Sequence, residues 1–331
     1  MRKLLDWTTL WVLLLSSFSV DTEASQGVPY TTAEYAAFQE AVGKKDLSAR
    51  EDAIIGFMKQ KPESALAEYA LGNYLQLLQD YHKKGETRRI YTAGQKLLTV
   101  KPNDLNALNM TAVAAYQLQR WDKFIQHGES VYRQKPSSGF AFMLANAHNE
   151  LKHEDQFIKY ADQACPKLGD QYCYQLYPQL TRIFITKKQW QQASVYAQRV
   201  LDAFTNVTRP ANVPAQKWDE DLKRENAIAY SVLGRRAAAR KRWSSTISNY
   251  RKAMRSYPRI RALNAEGHYY IGLASWKQGK INNAMKAFAK GTALRGTPHA
   301  DPCRKYAETL YKSTHNGSLA GFEDFIQREG R

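Results

Sequence analysis

Residues 227–258 read AIAYSVLGRRAAARKRWSSTISNYRKAMRSYP, and this stretch decides the fold. Tyr230, Leu233 and Gly234 recur at helical spacing on its first half. Trp243, Thr246, Tyr250 and Ala253 do so on its second. Pro258 then ends the second segment, because proline cannot continue the hydrogen-bond ladder of a helix. Two amphipathic helices joined by a tight turn form a hairpin, and one such hairpin cannot bury its apolar faces alone.

The pattern recurs along the chain. Downstream, Ile271, Gly272, Ala284, Phe288 and Gly291 repeat it. Upstream, residues 105–136 carry Leu108, Ala112, Trp121, Val131 and Pro136, with Phe124 and Gly128 exchanging large for small. Residues 138–165 (Leu144, Ala145, Phe157, Ala161, Ala164) show the same exchange. Residues 174–204 bring Leu180, Trp190, Ala193, Ala197 and Val200. Residues 65–102 bring Leu71, Gly72 and Pro102, with about six extra residues expected between the helices near His82 to Gly85. Residues 31–62, with Ala37, Phe38, Phe57 and Pro62, fit most weakly. Pro102 and Pro136 stand one 34-residue period apart. No alternating β-branched runs bounded by turn pairs appear.

These residues resemble the tetratricopeptide repeat (TPR). The resemblance implies an all-α, right-handed α-solenoid of about seven antiparallel helix pairs with a C-terminal capping helix. In that family small residues at repeat positions 8 and 20 let the helices approach, and an aromatic at 24 fills the gap beside them. The expected organisation is a targeting segment at 1–24, an array at 25–204, a loop at 205–217, further pairs at 218–295, and a cap and tail at 296–331. Pro210 and Pro214 mark the loop.

The resemblance also implies a binding role, with first-helix positions 2, 5, 9 and 12 lining a groove. Carried onto this chain, the groove candidates are Tyr69, Asn73, Asn109, Tyr116, Phe142, Asn146, Arg182, Arg235, Tyr269 and Trp276. Asparagine amides can meet both sides of an extended peptide backbone, and Tyr and Trp supply anchoring area. The equally open alternative is a set of solvated side chains. The family's Lys/Asn/Arg clamp for a C-terminal carboxylate is not met, since Val113 stands between Asn73 and Asn146.

The 331-residue chain carries 48 basic and 31 acidic side chains, a net +17. Residues 223–261 hold twelve Lys or Arg against one acid, Glu225. Arg235, Arg236, Arg240, Lys241, Arg242, Arg251, Lys252 and Arg255 form its core. Such a segment suits an anionic polymer, an anionic membrane surface or an acidic protein, or is a solvated basic face. Nucleic acid is the poorer candidate, because Trp243 and Tyr250 occupy repeat core positions and the start of the chain reads as an export signal. There Arg2 and Lys3 precede an uncharged apolar run, and Thr22-Glu23-Ala24 offers small residues to a signal peptidase. Export would leave the chain periplasmic or secreted, with the segment either cleaved or retained as an anchor.

In an oxidising compartment Cys165 and Cys173 can form a disulfide; the alternative is two buried thiols at neighbouring helix ends. No catalytic constellation appears: there is no phosphate loop, nucleophile elbow or Cys-x-x-Cys pair. No cofactor or metal site is expected either, since His148 and His153, five apart, miss the spacing that puts two ligands on one helix face.

Overall fold

The computed structural model describes residues 30–330, so the targeting segment of residues 1–24 lies outside it. The described residues are all-α, with seventeen helices and no strand. They form two units, 30–168 and 169–330. The first holds α1 (Thr32–Gly43), α2 (Leu47–Gln60), α3 (Leu66–Lys83), α4 (Thr87–Leu98), α5 (Leu105–Gln117), α6 (Trp121–Gln134), α7 (Ser138–Glu150) and α8 (Glu154–Leu168). The second holds the short α9 (Asp170–Cys173), then α10 (Leu176–Thr186), α11 (Trp190–Asn206), α12 (Ala215–Ala239), α13 (Trp243–Ser256), α14 (Arg261–Lys277) and α15 (Ile281–Ala293). It ends with α16 (Ala300–Thr314) and α17 (Phe322–Glu329). Seven TPR-like pairs result: four in the first unit, three in the second, and α16–α17 cap the last.

One turn joins the two helices in six of the seven pairs. A residue at positive φ follows the first helix: Gly85, Gln119, Lys152, Lys188, Lys241 and Gly279. The next amide reaches back five residues each time, as in Arg120 N to Ala115 O and Arg242 N to Ala237 O, both 2.9 Å. This is the Schellman geometry, which satisfies carbonyls that a helix end leaves unpaired. The positive-φ residues are separated by 34, 33, 36, 53 and 38 residues, so the period is visible in the backbone itself. The 53-residue step marks an insertion between α11 and α13.

Counting seven residues back from each turn gives the close-approach position of every pair: Leu78, Ala112, Ala145, Thr181, Gly234 and Gly272. In the second unit the expected lock forms. A Cβ on Gly234 would stand 2.7 Å from the Tyr250 ring, and one on Gly272 2.5 Å from Phe288. Both rings are fully buried. The register of residues 65–102 is corrected. The six extra residues are not a loop but part of α3, which continues to Lys83. Leu78 therefore holds the position assigned to Gly72, whose Cβ would meet nothing within 4 Å.

The inserted loop is shorter than the 205–217 read from sequence, because α11 runs on to Asn206 and α12 already starts at Ala215. Val213 turns inward from it and its amide bonds Pro210 O at 3.0 Å. Cys303 is a free, buried thiol.

Candidate partner-binding site

The groove candidates of the first unit do not form one open surface. Tyr69 is 65% exposed, and Asn73 beside it donates its amide to Tyr69 O at 2.9 Å. Both sit about six residues before the register that the α3–α4 turn sets. Tyr116 is only 5% exposed and Phe142 1%, so neither is a groove anchor. The cause is the exchange of large and small residues on α6. With Phe124 standing where a small residue was expected, Tyr116 packs edge-on against it at 4.9 Å and against Trp121 at 5.2 Å. Asn146 spends its amide on Phe142 O at 3.1 Å, and the Asn109 Oδ1 is buried with no protein partner.

The second unit commits one of its groove candidates to structure. Arg182 is ion-paired with the buried Glu225, its Nη2 donating to Oε1 at 2.6 Å. Tyr269 and Trp276 lean on the cap, with centroids 5.9 and 5.8 Å from Tyr306. Arg235 is different. Its guanidinium lies 3.9 Å from the centroid of Trp190 and 5.8 Å from that of Tyr270, and Glu266 stands 3.6 Å away. Stacking of this kind holds the planar group in place while its edge stays available for hydrogen bonds.

Around Arg235 opens a recess of about 340 Å³ lined by Ala238, Ala239, Trp243, Leu273 and Lys277 as well as the two stacking rings. Sequence reading placed Arg235 but missed Trp190, Trp243 and Tyr270 as its walls. The two tryptophans each open a second helix directly after a left-handed lysine turn. That recurrent placement was the available signal.

Of the basic segment, Arg240, Lys241, Arg242, Arg251, Lys252 and Arg255 are exposed. The first three follow the C-terminal end of α12, where its dipole favours cations. Arg235 is half-buried in the recess and Arg236 donates to Gln191 Oε1 at 3.2 Å, so neither belongs to a freely solvated face. Tyr250, interleaved in the segment, is buried and donates to Glu266 at 2.8 Å.

His148 and His153 meet despite their spacing. The left-handed Lys152 reverses the chain between them and brings their Nδ1 atoms to 3.2 Å. Burial lowers the His148 pKa, and Tyr160 stacks on the ring at 5.4 Å. No group of three or more metal-ligating side chains occurs among the described residues, and none of their helices is long and apolar enough to cross a membrane.

No family model and no curated protein matches the chain. Solved structures do. A tetratricopeptide repeat protein from Parabacteroides merdae is 11% identical over 85% of this chain and 100% of that one, at a TM-score of 0.35. Yeast Tom70 is 13% identical over 88% of this chain and 61% of its own, at 0.36. The APC/C hetero-tetramer Cut9–Hcn1 is 13% identical over 90% and 59%, at 0.32. At such identities and TM-scores the likeness says nothing of partner or activity.

Proposed function

We propose that this chain is a protein-interaction scaffold acting outside the cytoplasm, and that it takes a peptide segment of its partner in the Arg235 recess. The observation that carries this reading is the stacked guanidinium. An arginine pre-ordered on Trp190 loses little freedom when it pairs with a carboxylate or carbonyl. Trp243, Tyr270 and Leu273 supply apolar area beside it, the composition of an interface hot spot. Lys277 adds a second cation, so the fitting peptide carries an acidic residue next to an aromatic or aliphatic one.

The test is a fluorescence-anisotropy screen of a defined peptide library, repeated with Trp243→Ala and Lys277→Glu. Acidic–apolar peptides should bind saturably, and either substitution should weaken them roughly tenfold or more. Binding that ignores both substitutions removes the recess from consideration.

A second reading rests on the six exposed cations at 240–255. They favour an anionic polymer or an anionic membrane surface. That reading requires affinity to fall steeply with salt and to vanish when Arg240, Lys241, Arg242, Arg251, Lys252 and Arg255 become Gln.

A further inference from the structure

α12 is 25 residues long, against 13 for the first helices α5 and α7. The excess lies at its N-terminal end, where the stretch from Ala215 to Glu225 runs beyond the repeat. Together with the loop at 207–214 it closes a cavity of about 370 Å³ that the repeat pattern does not call for. Trp218 and Leu222 form one wall, Tyr174 and Pro178 another, and Phe204 and Val213 complete it. The rings of Tyr174, Phe204 and Trp218 lie within 5.6–6.4 Å of one another, at interplanar angles of 62–78°. The Arg209 guanidinium donates to Val213 O and pins the loop over the cavity.

The charges around the cavity are not equivalent. Asp221 accepts from Arg224 at 2.7 Å. Glu225 accepts from Arg182 at 2.6 Å and from Arg224 at 3.4 Å. Both carboxylates that line the cavity are therefore already neutralised, and nothing remains there to hold a cation. Lys217 lines the mouth, is exposed, and has no carboxylate partner among the described residues.

We propose that this cavity binds a monoanionic amphiphile: an apolar chain among Tyr174, Phe204, Trp218 and Leu222, with its carboxylate at Lys217. The size lies at the low end of ligand pockets, which suits a medium-length chain. The chain contributes by leaving water. The head group contributes through Lys217 and through the field of a protein carrying +17.

The test titrates dodecanoate, below its micelle concentration, into the full chain by calorimetry, with dodecanol and dodecyltrimethylammonium as matched controls. Dodecanoate should bind at one site per chain, roughly 2- to 5-fold tighter than dodecanol. Lys217→Gln should erase that difference, and Leu222→Trp, which fills the cavity, should weaken all three more than about tenfold. Circular dichroism confirms that each variant is folded, and the exposed Lys217→Gln decides the matter if Leu222→Trp is not. Absence of saturable dodecanoate binding overturns the proposal. So does tighter binding of the trimethylammonium chain, or unchanged affinity in a folded Leu222→Trp.

Discussion

The two units solve the same packing problem with opposite choices. In 30–168 three of the four second helices put the large residue first and the small one four later: Ile90 before Gly94, Phe124 before Gly128, Phe157 before Ala161. In 169–330 the last two pairs reverse this, with Thr246 before Tyr250 and Ala284 before Phe288. The partner of the close contact changes accordingly. A Cβ on Gly94 would stand 2.1 Å from Thr111 Oγ1, which belongs to the next pair. Gly234 and Gly272 of the second unit press instead on aromatics of their own pair. One arrangement locks neighbouring pairs together, and the other locks the hairpin itself.

Substitution at the contacts is the strongest way to break this comparison. Gly272→Ala should cost about 2–3 kcal/mol, because the Phe288 ring has nowhere to move. Phe288→Leu, within the same pair, should restore part of it. Gly94→Ala should cost a similar amount but be rescued by Thr111→Ala, in the following pair. Urea unfolding of the double-mutant cycles measures both couplings. If Gly94→Ala is relieved from within its own pair, the contrast collapses.

Acid should then act on the last pair of the second unit. Burial, assisted by the Lys290 charge, holds His268 down to about 4. The unfolded chain takes up that proton near its ordinary value of about 6.5. Between those two pH values only the unfolded state is protonated, so this stability is complete above about 6.5 and is lost as pH falls towards 4. The loss should be roughly 3 kcal/mol, and His268→Gln should flatten the wild-type slope by that amount in melts taken across the interval. An unchanged slope would mean that the ring is wet.

Smaller effects sharpen the register. Lys241→Gly should stabilise by about 1 kcal/mol, since the position needs left-handed φ and glycine adopts it freely. Gly72→Ala should stabilise by roughly 0.5–1 kcal/mol, as expected for an open mid-helix site. A loss at Gly72 would restore the register first read from sequence.

The helix pairs were legible because prolines, glycines and aromatics recur with physical reasons for their spacing. The register of residues 65–102 was not. Gly72 imitates the close-approach residue, while Leu78, which occupies it, looks like any core leucine. The groove was legible only in part. Whether Tyr116 faces solvent depends on Phe124, eight residues on, and Arg182 is claimed by Glu225 from 43 residues away. The arginine recess needed Trp190 and Tyr270 brought together from two other helices, which no local pattern announces.

α12 supplies walls to two recesses, through residues 217–225 at one end and Arg235, Ala238 and Ala239 at the other. At 25 residues it is a rod roughly 37 Å long. Pivoted at its middle, such a rod moves each end by about 1 Å for roughly 3° of tilt. The helix is therefore a single rigid element shared by two recesses, one near each end.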